Sequence, residues 1–182
     1  MVNLGASVNS MMKKELEQRL NAPDVLVFKP AQHQHYYDFT GSAPLRHALS
    51  AFLSRHFAQG RPVPPNQLVV MNGVTSCLNC LGFACCDAGD VGLTTTPVYG
   101  KIFTDFQERD NLDMRALHLL PKDVAGTTED FTVTAALLES RLQELQLEGK
   151  RVRLIVLINP HNPLGNVCPS HLFLDLLKVC AR

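Results

Sequence analysis

Three short segments carry residues whose types and spacing suit chemistry: Asn72-Gly73-Val74-Thr75-Ser76, Thr96-Pro97-Val98-Tyr99-Gly100 and Asn159-Pro160-His161-Asn162-Pro163-Leu164-Gly165. The first follows an apolar run, Leu68-Val69-Val70-Met71, and opens a helix predicted to continue through Cys86. A glycine turn and hydroxyl residues at a helix N-terminus make an anion site, because backbone N–H groups lack partners there and the helix dipole is positive. Phosphate is the natural guest. The segment is neither a Walker loop nor G-x-G-x-x-G, and its plain alternative is a helix cap by Thr75 or Ser76. In the second segment, Tyr99 either stacks on a flat ligand or fills a gap in the packing. In the third, asparagines held between prolines give an amide a fixed direction; the alternative is an ordinary strand-to-helix turn.

Each segment follows a predicted strand, over 68–71, 91–95 and 154–158, and so sits at a carboxyl edge, where open α/β sheets bind ligands. The run Leu154-Ile155-Val156-Leu157-Ile158 reads as a fully buried parallel strand. A further strand is predicted over 114–120. Helical spacing marks 11–20, a helix opening at Pro44 with Leu45, Ala48, Leu49, Phe52 and Leu53 on one stripe, and a start near Ile102. Thr134 is predicted to cap a helix carrying Leu138, Leu142 and Leu145, and Pro169 to open the last one. Residues 30–42 and 122–130 read as loops, the first rich in aromatics at Tyr36, Tyr37 and Phe39. From residue 68 the order alternates strand and helix, which predicts an α/β fold with a doubly wound, mostly parallel sheet and flanking helices. The stiff stretch Gly60-Arg61-Pro62-Val63-Pro64-Pro65 suggests two parts: an N-terminal segment, arm loop and helix over 1–60, and part of a ligand-binding large domain over 61–182.

Composition narrows the function. The 182 residues are 46% hydrophobic, enough for a packed core, and 17 basic residues balance 17 acidic ones. That balance argues against nucleic acid and against an anionic membrane surface. No apolar stretch is long enough to span a bilayer and the first residues lack a signal core, so a cytoplasmic protein is expected. Six cysteines include the C-x-x-C pair Cys77 and Cys80, but no second pair at zinc spacing accompanies it. They read as small buried hydrophobes, and no metal site is expected. His33 and His35 read as solvated loop residues.

Taken together and in order, these segments resemble the class I and II aminotransferases, pyridoxal-phosphate enzymes of fold type I, and most closely the 1-aminocyclopropane-1-carboxylate synthase branch and its animal relatives. The resemblance covers nearly the whole chain. It is carried by N-L-G-x-S-x-N at Asn3 to Asn9, Gly41 with Leu45 and Arg46, N-G-V-T-S, C-D-A-G-D at Cys86 to Asp90, T-P-V-Y-G and N-P-H-N-P-L-G. It implies pyridoxal 5'-phosphate as cofactor, an amino acid as substrate and a homodimer for the complete protein. It also implies that Val74, Thr75 and Ser76 hold the cofactor phosphate, that Tyr99 stacks on the ring and that Asn162 hydrogen-bonds the ring hydroxyl.

The chain departs from this pattern in three ways. Val8 stands where synthase members carry a glutamate, and Phe39 where they carry a tyrosine. An isopropyl group cannot do acid–base work, and phenylalanine lacks the hydroxyl donor. None of the seven lysines occupies the family's Schiff-base position, so no catalytic residue is assigned in this chain. The resemblance therefore implies the N-terminal part of an amino-acid-metabolising enzyme, or else a truncated or inactive homologue that keeps part of the cofactor pocket or the dimer interface. A nucleotide-binding α/β domain using Asn72 to Ser76 is a third reading, but it leaves the other two segments unexplained.

Overall fold

The computed structural model describes residues 7–36, 38–119 and 131–181, with Arg109 described by its backbone alone. The chain divides into two compact units at Val70/Met71. In the first unit, helices α1 (Lys13–Leu20), α2 (Pro30–His33) and α3 (Ala43–His56) precede a 3-10 turn, Pro65–Gln67. Part of the predicted loop is thus helical, since Pro30 is accommodated in the first turn of α2 and the His33 ring accepts from the Lys29 N–H at 2.9 Å. The Asn3–Ala6 part of the N-L-G-x-S-x-N motif, Tyr37 and the predicted loop at 122–130 lie outside the described residues.

Helix α3 is engaged on a face that takes in only part of its hydrophobic stripe: Leu49 and Leu53 are half-buried and Leu45, Ala48 and Phe52 exposed, while Arg46, Ser50 and Ser54 hold the following chain. Ser50 Oγ donates to the Val63 carbonyl at 2.6 Å, and the Val63 N–H donates to Ser54 Oγ at 2.8 Å. Pro62, Pro64 and Pro65 have no N–H with which to build a ladder, so these hydroxyls satisfy the backbone groups of Val63 between them. Gly41, at φ +111°, lies so close to Val70 that an added Cβ would stand 2.8 Å from its Cγ2.

The second unit is a three-stranded parallel sheet in the order β2 (Asp113–His118), β1 (Val91–Thr96), β3 (Val152–Val156). Helices α4 (Gly73–Cys85) and α5 (Lys101–Asp110) cover one face through Ile102, Phe106, Leu112 and Met114. Helices α6 (Ala135–Leu147) and α7 (Ser170–Cys180) cover the other, where Leu93, Leu117, Leu138, Leu145 and Leu176 form the larger core. The expected doubly wound α/β arrangement is present. Thr134 caps α6 as predicted, its hydroxyl accepting from the Leu137 N–H at 3.2 Å.

Two strand expectations need correction. Residues 68–71 form no strand, because no described strand lies alongside to complete a ladder; instead the Val70 N–H donates to the Thr40 carbonyl at 2.9 Å. The third strand begins earlier than its apolar run, at Val152, and is half-buried where full burial was expected. Full burial belongs to β1, the central strand, which pairs on both sides. The cysteines of α4 also depart from expectation: Cys80 and Cys85 are exposed and Cys77 and Cys86 half-buried, since Gly82 provides the buried contact of this helix. A Cβ at Gly82 would collide with Asp110 and Phe106, so the glycine is what lets α4 close on α5.

Candidate functional site

The strand order fixes where a ligand can sit. The crossover from β1 through α5 places β2 on one side, and the crossover through α6 places β3 on the other. The two chain paths diverge at the carboxyl ends of β1 and β3, and such switch points open a crevice in α/β sheets. The second and third motifs emerge there. The Tyr99 N–H donates to the Asn162 carbonyl at 3.1 Å, tying the two loops together. Both side chains are exposed, Tyr99 at 54%.

The end of β1 is held by three consecutive threonines. Thr94 Oγ1 donates to the Val156 carbonyl at 3.3 Å, Thr95 Oγ1 meets His161 Nε2 at 3.2 Å and Thr96 Oγ1 meets His118 Nδ1 at 2.8 Å. Thr94 and Thr95 are buried, so these bonds meet the polar requirement of a strand that alternation would otherwise fill with aliphatics. Burial holds the His161 imidazole below its ordinary pKa of 6.5, favouring the neutral ring. The His161 N–H donates to the Asn166 carbonyl at 2.8 Å, and the Gly165 N–H returns to the His161 carbonyl at 2.8 Å, which closes the loop on itself.

The first motif reaches the same neighbourhood through α5. Gly73 enters α4 at φ +82°, a conformation that favours glycine. No side chain caps this helix, so the first-turn N–H groups, those of Val74 and Thr75 among them, keep their donor capacity. The cap alternative therefore falls away. The hydroxyls are used otherwise: Thr75 Oγ1 donates to Asp105 Oδ2 at 3.0 Å, and Ser76 Oγ donates to the Asn72 carbonyl at 2.9 Å. Val74 is 70% exposed. What this turn offers an anion is its backbone N–H groups and the positive end of α4.

Asp105 was not singled out by the sequence. It is 4% exposed, accepts from Thr75, and its backbone carbonyl accepts from Asn79 Nδ2. Its second oxygen, Oδ1, has no hydrogen bond but lies 3.5 Å from Lys101 Nζ. The signal was available: Asp105 falls on the apolar stripe of α5 between Ile102 and Phe106, where a carboxylate needs a reason.

The comparisons with known proteins bear on the family and the fold. All of residues 1–182 match the family described as aminotransferase class I and II. The chain belongs to that family. Among curated class I and II relatives, 1-aminocyclopropane-1-carboxylate synthase-like protein 1 of Mus musculus is 34% identical over 181 residues, covering 100% of this chain and 36% of the relative. The probable inactive 1-aminocyclopropane-1-carboxylate synthase-like protein 2 of Homo sapiens is 31% identical over 181 residues, covering 100% of this chain and 32% of the relative. Among solved structures, an archaeal alanine:glyoxylate aminotransferase superposes with a TM-score of 0.64 at 26% identity, covering 94% of this chain and 37% of that one. This class I and II aminotransferase chain thus spans about a third of the length of the curated relatives it matches. No described helix is long and apolar enough to cross a membrane.

Proposed function

We propose that the chain is the cofactor-anchoring part of a pyridoxal-phosphate-dependent enzyme of aminotransferase or 1-aminocyclopropane-1-carboxylate synthase-like type, acting on an amino acid. The observation that carries this reading is the uncapped first turn of α4, which leads through Thr75 and Asp105 to α5 and so to the loop bond between Tyr99 and Asn162. The residues fit the cofactor: unused N–H groups for a phosphate, an exposed aromatic ring for a pyridine and an exposed amide for a ring hydroxyl. When bound, pyridoxal phosphate supplies an electron sink for reactions at the amino-acid α-carbon.

The roles of the chain's own residues follow. The α4 N-terminus binds the phosphate by N–H donation, and the dipole lowers the energy of its charge. Tyr99 orients the ring by stacking, which needs its π-face and not its hydroxyl. Asn162 donates its amide N–H to the ring oxygen, while its backbone carbonyl remains bonded to Tyr99. The complete protein is proposed to be a homodimer, with the exposed Tyr36 and Phe39 segment as the arm offered to the partner. The six free cysteines suit the reducing cytoplasm we infer for it. A second reading, a homologue that keeps the anchor without the chemistry, is favoured by Val8 and Phe39 at the synthase-departing positions and by the name of the Homo sapiens relative.

The test is titration with pyridoxamine 5'-phosphate, which has no aldehyde to react with surface lysines, followed by calorimetry. Saturable binding that pyridoxamine fails to reproduce supports the phosphate anchor. Equal binding of both compounds, or of neither, refutes it.

A further inference from the structure

We infer that Asp105 is a positioning residue of the anion cradle: its buried carboxylate holds the Thr75 hydroxyl, so that the first turn of α4 binds a phosphate ester through backbone N–H groups while that hydroxyl stays with the protein. The inference rests on the reading above and goes beyond it, because it assigns a residue that belongs to none of the three motifs.

The chemistry is a matter of counting donors. A threonine hydroxyl has one proton to give, and here it goes to Asp105 Oδ2 at 3.0 Å. Ser76 is likewise spent on the Asn72 carbonyl. Asp105 is itself fixed from three directions: by Thr75, by Asn79 Nδ2 on its backbone carbonyl, and by Lys101 Nζ at 3.5 Å from Oδ1. Thr75 and Asn79 lie one turn apart on α4, so both clamp the same helix onto the same residue of α5. Fixing the Thr75 side chain fixes the peptide that carries its N–H, and that N–H points out of an uncapped helix end. Lys101, which also lies 3.8 Å from Glu108 Oε2, offsets the carboxylate's charge close to a site meant for an anion.

A merely structural role for Asp105 predicts something different from this one. If its bond to Thr75 is what prepares the cradle, D105A and T75V remove the same interaction, and their effects do not add. Each is expected to weaken pyridoxamine 5'-phosphate binding by about five- to tenfold, the scale of one hydrogen bond, with the double variant no weaker than either single one. D105N keeps an oxygen that accepts from Thr75 and is expected to bind within about twofold of the parent. In the ligand-free protein, the amide resonances of Val74 and Thr75 should move in D105A and return in D105N. The Asp105 carboxyl carbon resonance should move in T75V but not when the probe binds to the parent.

Additive losses, or full binding by D105A, would overturn the inference. So would a shift of the Asp105 carbon on probe binding, which would mean that the hydroxyl had gone to the phosphate. If D105A does not fold, T75V and the carboxyl resonance of the parent decide the matter. If the parent binds no probe, the cofactor reading falls, and the positioning role is then decided by the Val74 and Thr75 amide shifts alone.

Discussion

The Tyr99 N–H and the Asn162 carbonyl oxygen, 63 positions apart in the chain, meet at 3.1 Å across the crevice between β1 and β3. Because this bond uses backbone atoms, side-chain replacements at either residue leave the loop geometry standing. Y99F is therefore expected to bind pyridoxamine 5'-phosphate like the parent, Y99A to lose about tenfold through the missing ring, and N162A about fivefold through one missing hydrogen bond. Calorimetric titration of the three variants checks the order; equal loss in Y99F and Y99A would shift the role from the ring face to the hydroxyl.

Arg46 is expected to be the costliest charge to remove from the first unit. Its guanidinium donates to the Gly41 carbonyl at 3.0 Å, the Pro65 carbonyl at 3.4 Å and Asp38 at 2.5 Å, with its side chain 14% exposed. R46A should cost about 1.5–3 kcal/mol, as for charge-assisted bonds whose partners are left behind. R46K should recover less than half of that, since an ammonium cannot reach the three acceptors with one planar fork. Urea unfolding of the two variants measures both.

Two leucines two positions apart separate core from surface at the end of α6: Leu145 is fully buried and Leu147 is 91% exposed. L145A is expected to cost about 2–5 kcal/mol by lost burial and a cavity, and L147A less than about 0.5 kcal/mol. Matching losses in thermal or urea unfolding would contradict the packing of α6 on the sheet.

His161 ties stability to pH. Burial lowers its pKa in the folded chain below the ordinary 6.5, so the unfolded chain binds the proton more readily. The contribution of the neutral ring is complete above 6.5 and is lost as pH falls below it toward the folded value. Comparing thermal midpoints from pH 7.5 to 5.5, the parent should fall more steeply than H161Q. Parallel curves would remove His161 from the account.

Much of this architecture was legible in the residues. Period and caps located α3, α6 and α7, and the Thr134 cap was read from one hydroxyl before an apolar stripe. Residues 68–71 misled because β-propensity says nothing about whether a neighbouring strand exists to pair with. The run at 154–158 misled in a similar way: apolar residues mark a strand as suited to burial, but position in the sheet decides how much it receives, and β1 holds the centre despite three threonines. At the candidate site, the motif residues were visible as a pattern. Asp105 was marked only as a carboxylate on an apolar stripe; its partner Thr75, thirty positions away, was not legible.

The central place of β1 also bears on how such a chain can change over generations. Both crossovers deliver a strand that pairs with it, so Val91–Thr96 is a common reference for everything that surrounds the crevice. A substitution in a connecting segment alters the rim and is judged locally. One in β1 is judged by two neighbours and two helical layers at once. Descendants are therefore free to diversify what they recognise while inheriting the seat on which recognition is built.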